Sequence, residues 1–180
     1  KYYHVPKGWS ARHRACTCRT GYTREDGVEV DNANYAAAPI WKALMATGQV
    51  IPAGLGSRDS LRLEMGMALY GNDIDDTVTP LEANLAWLVK LPKGDFVGKR
   101  ALLAQKEAGI TKRLVGFTMH DRTFPRPGYP VFYKGEPSGV GRRGTMSPTR
   151  GVGIGTAHLP TEGPKARPPA DGANHGPRTP

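Results

Sequence analysis

The residues best suited to bind a ligand lie in one short segment, RTGYTREDGVEV, residues 19–30. It contains one aromatic ring, that of Tyr22, between two arginines, and three carboxylates, those of Glu25, Asp26 and Glu29. A ring can stack on a flat ligand while the charged groups hydrogen-bond to its polar edge. Glycines on both sides of the charged residues also suit a solvated hairpin. The spacing alone leaves both interpretations open.

A second pair of charged residues, Arg58 and Asp59, lies near the start of a predicted helix. A carboxylate in the first turn of a helix is stabilised by the positive end of the helix dipole. We therefore expect Asp59 to favour the helix start, and Arg58 to pair with it or with a nearby carboxylate.

The two cysteines, Cys16 and Cys18, are one residue apart. On a strand their side chains point to the same face, yet residues this close rarely form an unstrained disulfide. No second cysteine pair or histidine cluster completes a zinc site. The sequence therefore predicts two free thiols, a reducing compartment and no metal centre.

Two further motifs resemble ligand loops without completing them. The segment NDIDDT, with Asp73, Asp75 and Asp76, lacks the glycine and the glutamate that a calcium loop needs at its sixth and twelfth positions. The segment GVGIGT lacks the GxGxxG spacing of a dinucleotide loop. We expect a solvated loop at the first motif and a glycine-rich strand or turn at the second.

Composition limits the classes of partner. The 180 residues carry a net charge of +9, which suggests an anionic partner. The basic residues form no dense run with interleaved aromatics, so an acidic protein or a polycarboxylate fits at least as well as nucleic acid. No apolar run approaches the roughly 18 residues needed to cross a bilayer, and the N-terminus does not resemble a signal peptide. We expect a soluble protein.

Local patterns predict a mixture of helices and strands in residues 1–110. The first thirty residues read as short extended segments, and helical patterns end at a glycine in residues 36–48, 55–66 and 98–109. In TPLE, Thr79 and Glu82 can form a capping box, which predicts a further helix start. The apolar run AWLVKL, residues 86–91, predicts a strand.

The composition changes after Lys112. Four strand-like runs separated by glycine and proline follow, in residues 113–120, 128–133, 137–143 and 151–159, with a hairpin loop at 133–139. This predicts an α+β chain with an α+β domain at 1–110 and an antiparallel β-barrel-like domain at 111–160. The polar segment 161–180 predicts a disordered tail.

Several blocks occur together in one order. They are RTGYTREDGVEV, PAGLGSRDSLRLEMGMALYGNDID, TPLEANLAW, GDFVGKRALL, KRLVGFTM, GYPVF and GTMSPTRGVGIGTAHLP. Over residues 18–160 this closely resembles the C-terminal half of the glycine cleavage system T-protein, the folate-dependent aminomethyltransferase. The resemblance implies a partial folate-binding α+β domain followed by a truncated C-terminal β-barrel.

The resemblance also implies a reaction and its partners. That family transfers the methylene carbon of an aminomethyl group from the lipoyl arm of H-protein to tetrahydrofolate, with release of ammonia. The implied partners are lipoylated H-protein and tetrahydrofolate, with no nucleic acid and no membrane. The implied location is the bacterial cytoplasm, or the mitochondrial matrix of a eukaryote.

By the same resemblance, Tyr22, Glu29 and Arg58 line the folate site. Tyr22 would offer a flat face to a ring of the ligand. Glu29 would accept two N–H groups from the amino-pyrimidine edge. Arg58 would brace Glu29 or bind a carbonyl or carboxylate of the ligand.

The sequence departs from the family pattern in several places. Arg24 stands where the family has glycine, which costs about 1 kcal/mol if φ there is positive. Arg142 and Arg143 replace small or hydroxyl residues, and residues after Pro160 do not match the last barrel strands. The half that carries the family's catalytic aspartate is missing, so no catalytic residue is assigned, and we expect weak folate binding and little turnover. Alternatives are a non-catalytic folate-binding module or the folate domain of a sarcosine or dimethylglycine dehydrogenase.

Overall fold

The computed structural model describes residues 4–5, 7–10, 12–120, 123–133 and 135–162. Within these residues the chain forms seven strands and three α-helices, which confirms the predicted α+β class. The contacts divide it into two compact units, residues 1–62 and 63–180. The predicted domain boundary near residue 110 stays a prediction. Residues 163–180 of the predicted tail lie outside the described part of the chain.

The first unit contains a three-stranded antiparallel sheet, in the order β1-β2-β3. The strands are β1 (Lys7–Ser10), β2 (His13–Cys18) and β3 (Glu29–Asn32). The register pairs Cys16 with Asp31 and Cys18 with Glu29. Strands β1 and β2 and the start of β3 confirm the predicted extended segments, and the candidate segment 19–28 forms the loop that joins β2 to β3.

Two predicted helices follow the sheet. Helix α1 (Asn34–Met45) buries Ala36 and Ile40, and helix α2 (Leu55–Glu64) carries Arg58. Both helices lie within two residues of their predicted starts. Because α2 begins at Leu55, Asp59 lies beyond the first turn, where the helix dipole no longer favours a carboxylate. The predicted role of Asp59 at the helix start is therefore wrong.

The predicted helix start at TPLE is also wrong, although its capping box forms. The backbone N–H of Thr79 donates to the Glu82 carboxylate over 2.9 Å, and the N–H of Glu82 approaches the Thr79 hydroxyl at 3.3 Å. No helix continues, because Asn84 has φ of +60°. Its side-chain amide donates to the backbone oxygen of Leu114 over 2.5 Å, and the Leu114 N–H donates to the Glu82 oxygen over 2.8 Å. These groups cover an edge strand instead of extending a helix.

The prediction of a strand at AWLVKL is wrong, because Ala86–Leu88 form a single 3-10 turn and no strand follows it in this run. Helix α3 (Lys99–Ala108) then forms as predicted and ends at Gly109, whose φ is +83°. The positive φ, combined with a ψ of 150°, is a backbone conformation open to glycine and strained for residues with a Cβ, which explains the stop.

The strand predictions after residue 112 are confirmed. A four-stranded antiparallel sheet has the order β4-β7-β6-β5, with β4 (Lys112–Thr118), β5 (Pro130–Tyr133), β6 (Glu136–Met146) and β7 (Gly153–Pro160). The β5–β6 hairpin turns at the predicted loop, and β6 is longer than predicted, with a register shift between Gly141 and Arg143. The core of this sheet consists of Val115, Ala157 and Leu159, against which Phe117 and Val131 pack. No helix among the described residues is long and apolar enough to cross a membrane.

Candidate functional site

The β2–β3 loop is held by an arginine at its start. The Arg19 guanidinium donates to the backbone oxygen of Gly27 over 3.0 Å and to the Asp26 carboxylate over 2.7 Å. The N–H of Glu25 lies 3.2 Å from the Thr23 hydroxyl. Asp26 and Glu25 therefore contribute to the turn itself, so that part of the candidate segment behaves as the hairpin interpretation predicts.

The departure at Arg24 has a backbone consequence. Its φ is +57°, in the left-handed region that residues with a Cβ seldom adopt. The sequence analysis expected a cost if φ here is positive, and it is: a glycine would suit this conformation, whereas arginine adopts it at a cost of about 1 kcal/mol.

Two of the three predicted ligand residues are in contact. Helix α2 places the Arg58 guanidinium carbon 4.5 Å from the centroid of the Tyr22 ring. Tyr22 is half-buried and Arg58 is exposed. A guanidinium over a tyrosine face contributes about 0.5–1 kcal/mol at an exposed position, and it fixes the orientation of both groups. The structure thus gives Arg58 an aromatic partner, where the sequence predicted pairing with a carboxylate.

Glu29, the third predicted residue, is the first residue of β3 and is exposed. The Thr20 hydroxyl donates a short hydrogen bond to one of its carboxylate oxygens. This bond, from the opposite end of the same loop, orients the carboxylate. The role of Thr20 was not predicted from the sequence, because only the closing of the loop brings residues 20 and 29 together.

Asp59 pairs with Arg62 instead of Arg58. The Nε and Nη2 atoms of Arg62 lie 3.0 and 2.9 Å from one Asp59 oxygen, and the Arg62 side chain is fully buried. The i,i+3 spacing on a helix is the signal that could have predicted this pair. A buried arginine needs such a partner, because an unpaired buried charge is strongly destabilising.

In the second unit, Glu64 binds a turn that follows β6. Its carboxylate accepts hydrogen bonds from the hydroxyls of Ser147 and Thr149 and from the N–H of Thr149. Burial alone would raise the pKa of Glu64, but these bonds and the charge of Arg150 outweigh it, so the pKa lies below its ordinary value. The contact joins residues 83 positions apart and has no local sequence signal.

The motif NDIDDT is not the uniformly solvated loop predicted from the sequence. Asp73 is completely buried, its carboxylate accepts hydrogen bonds from the Thr156 hydroxyl and the Leu69 N–H, and its backbone oxygen lies 2.8 Å from Nε2 of His158. Desolvation lowers the pKa of His158, and the nearby cations Arg142 and Lys112 add to the effect. Asp73 thus anchors its segment to β7.

Both cysteines are free thiols, as predicted. Their sulfur atoms lie 4.0 Å apart, and the Cys18 thiol donates to the Asp31 carboxylate over 3.6 Å. Desolvation, together with the neighbouring Cys16 thiol and the Asp31 carboxylate, raises the pKa of Cys18 to about 11.

The second unit also has an apolar cleft of about 540 Å³. Its wall includes the aromatic rings of Phe117, Phe124, Tyr129 and Phe132, and none of the described residues that line it is charged. Among the described lining residues there is therefore no carboxylate to pair with an amino-pyrimidine edge. The segment around Tyr22 and Glu29 combines a ring with a carboxylate.

The elements and the site define a protein of the α+β class with an antiparallel C-terminal sheet. Family profiles identify it more closely: that of the GCVT N-terminal domain matches residues 1–93, and that of the glycine cleavage T-protein C-terminal barrel domain matches residues 112–172. The chain belongs to the glycine cleavage T-protein family.

Similar proteins agree with this assignment. The aminomethyltransferase of Halothermothrix orenii is 48% identical over 162 residues, which cover 88% of this chain and 45% of the relative. That of Rubrobacter xylanophilus is 52% identical over 149 residues, 82% of this chain and 40% of the relative. The crystal structure of glycine cleavage system aminomethyltransferase T from Bartonella henselae superposes with a TM-score of 0.82 at 30% identity, over 89% of this chain and 45% of that one. The chain spans less than half the length of these relatives.

Proposed function

We propose that this chain supplies part of the tetrahydrofolate site of a glycine cleavage system aminomethyltransferase. The observation that carries the proposal is the contact between Tyr22 and Arg58, at 4.5 Å. These residues come from the β2–β3 loop and from α2, and both were assigned to the ligand by family resemblance. The names of the similar proteins support the reaction, since each is an aminomethyltransferase.

In this proposal Tyr22 and Arg58 form a platform for a ring or the carboxylate of the folate. The guanidinium is planar and permanently charged, so it can lie on the tyrosine and still donate hydrogen bonds at its edge to a carbonyl or carboxylate. Glu29, oriented by Thr20, accepts N–H groups of the amino-pyrimidine. The reaction then depends on holding the folate nitrogen against the aminomethyl carbon.

The donor in this reaction is the aminomethyl group on the lipoyl arm of H-protein. Transfer of its methylene carbon to tetrahydrofolate releases ammonia and leaves the dihydrolipoyl arm. The net charge of +9 supports an acidic carrier protein and a polyanionic folate as partners. Association with H-protein should then weaken as salt is added. The bacterial origin of the similar proteins supports a bacterial cytoplasmic setting.

Calorimetric titration with tetrahydrofolate under anaerobic conditions tests the site. We expect Glu29→Ala and Arg58→Ala to weaken binding by about tenfold or more, because each removes a charged hydrogen-bonding partner of the ligand. The exposed α3 residues Glu107 and Arg100 provide matched controls, since Glu107→Ala and Arg100→Ala change the net charge equally. If the site variants bind tetrahydrofolate as tightly as the wild type does, the proposed site is wrong.

A further inference from the structure

The loop that carries Tyr22 is bridged by the side chain of Arg19. The hydrogen-bonded ladder between β2 and β3 ends just before this residue, so the loop lies beyond the last strand pair. The Arg19 guanidinium crosses the loop, with Nη1 3.0 Å from the Gly27 oxygen and Nη2 2.7 Å from the Asp26 carboxylate. One side chain therefore links the start of the loop to its end.

Arg19 is itself held by the backbone. It directly follows β2, and its N–H donates to the backbone oxygen of His4 over 2.8 Å. The guanidinium thus extends from a backbone position that is fixed on one side by the strand and on the other by the N-terminal segment. The bond to Gly27 transmits this restraint to the far end of the loop.

The two acceptors of the guanidinium restrain the loop to different degrees. The Asp26 side chain is 92% exposed, and an exposed ion pair contributes little, because water screens the charges and both side chains must be ordered. The Gly27 oxygen belongs to the backbone, so the bond to it fixes the path of the chain directly. The bond to Gly27 therefore restrains the loop more than the ion pair does.

Tyr22 lies in the part of the loop that Arg19 closes. Its ring is half-buried and faces the Arg58 guanidinium at 4.5 Å. A side chain that is ordered only when a ligand binds reduces the affinity, because its freedom is lost at that moment. Closing the loop beforehand avoids this loss and keeps the ring beside Arg58.

We propose that Arg19 is a positioning residue of the tetrahydrofolate site, which raises the affinity by holding the Tyr22 ring in place. It acts through the backbone at Gly27 and through Tyr22. The inference rests on the proposed folate function, and it adds a residue that the family resemblance did not assign to the site.

Anaerobic calorimetric titration of the full chain with tetrahydrofolate tests the proposal. We expect Arg19→Met to weaken binding by about 3–10-fold, the range that ordering one further side chain on binding implies. Asp26→Asn removes the exposed ion pair alone and should weaken binding by less than about twofold. Arg14→Met is the matched control, because it removes an exposed cation of β2 and should bind as the wild type does.

A second variant keeps the test decisive if Arg19→Met does not fold, which circular dichroism verifies. Arg19→Lys keeps the charge but replaces the planar fork by a single point donor, so it should lose part of the affinity. If the folded variants of Arg19 bind tetrahydrofolate as tightly as the wild type does, the proposal is overturned.

A double-mutant cycle separates positioning from a general loss of structure. Arg19→Met should cost less affinity in a Tyr22→Leu chain than in the wild type, because no ring remains to be positioned. A general loss of structure weakens both chains equally. Equal losses of affinity would therefore refute the route through Tyr22.

The outcomes also distinguish this inference from the folate site itself. If Glu29→Ala and Arg58→Ala bind as tightly as the wild type, the proposed folate site is wrong. If those two variants lose affinity while the Arg19 variants do not, the folate site is supported and the role of Arg19 is wrong.

Discussion

Glu64, at the end of α2, accepts a hydrogen bond from Ser147, the fully buried residue that directly follows β6. The same carboxylate binds the hydroxyl and the N–H of Thr149. One side chain thus satisfies three donors of a turn that is distant in sequence. This makes Glu64 a central polar contact of the second unit, although no local motif identifies it.

Replacing Glu64 by alanine should destabilise the chain. The variant leaves the buried Ser147 hydroxyl without its acceptor, and an unsatisfied buried polar group costs about 1–3 kcal/mol. Urea denaturation, with the midpoint and slope compared between variant and wild type, measures the change in the free energy of unfolding. The exposed α3 residue Glu107 serves as control, and Glu107→Ala should stay within about 0.5 kcal/mol of wild type. Equal stability of the two variants would contradict this role.

His158 should make stability decrease as the pH falls below its ordinary pKa of 6.5. Desolvation lowers its pKa in the folded chain, and Arg142 and Lys112 lower it further, so that together they outweigh the hydrogen bond to the Asp73 backbone oxygen and the charge of Glu82, which raise it. The unfolded state therefore binds the proton more readily, and acidification through this range favours unfolding.

The geometry explains why protonation at His158 is unfavourable. Nε2 lies 2.8 Å from the Asp73 backbone oxygen, so a neutral ring can donate there. Nδ1 is buried and has no hydrogen-bond partner among the described residues, so a proton on it would be unsatisfied. Unfolding midpoints measured from pH 7.5 to pH 5 should fall more steeply for wild type than for His158→Gln, which keeps a donor but does not titrate. If the unfolding midpoints of wild type and His158→Gln fall equally with pH, His158 is not the cause of the loss of stability.

Arg24→Gly should stabilise the loop by up to about 1 kcal/mol. Glycine adopts the observed φ of +57° without the steric cost that arginine bears, although its greater freedom in the unfolded chain offsets part of the gain. Arg24→Ala is the informative control, because it removes the side chain but keeps the Cβ. Thermal unfolding should rank glycine above alanine. The reverse order would show that backbone conformation does not limit this position.

The contact between Tyr22 and Arg58 should appear as a coupling energy. In a double-mutant cycle of Tyr22→Leu and Arg58→Met, we expect the two substitutions to deviate from additivity by about 0.5–1 kcal/mol in the free energy of unfolding. A cycle of Tyr22→Leu with Lys42→Met, which removes a cation of α1 in the same unit, provides the reference, and we expect its two effects to be additive. Additive effects in the first cycle would mean that the ring and the guanidinium do not interact in solution.

The isolated chain should produce no methylenetetrahydrofolate above background when it is mixed with aminomethylated H-protein and tetrahydrofolate. It spans 45% of the Halothermothrix orenii relative and 40% of the Rubrobacter xylanophilus relative, and none of its residues is assigned a catalytic role. Absorbance or mass-spectrometric detection of the folate product checks this, with a full-length aminomethyltransferase as positive control. Robust turnover by the chain alone would contradict the prediction.

Helices and strands could be predicted from the sequence where their local sequence signals agree with the packing of the folded chain. Helices α1, α2 and α3 form because their apolar spacing is helical and a glycine follows each predicted segment. Prediction was wrong at TPLE, where the capping box between Thr79 and Glu82 forms, but Asn84 and the Glu82 carbonyl bond to Leu114. A capping box is recognised from a few neighbouring residues. It therefore does not predict that the distant edge strand β4 will form hydrogen bonds with the same segment.

The sequence by itself determined the α+β class, most helices and strands, the free thiols and the family to which the chain belongs. Only the tertiary structure decided that Arg58 lies on Tyr22, that Thr20 orients Glu29, and that Asp73 is buried against Thr156. The physical reason is distance along the chain. Periodicity, capping and turn chemistry act over a few residues. Contacts between side chains that are distant in sequence form only when the folded backbone brings those segments within hydrogen-bonding range.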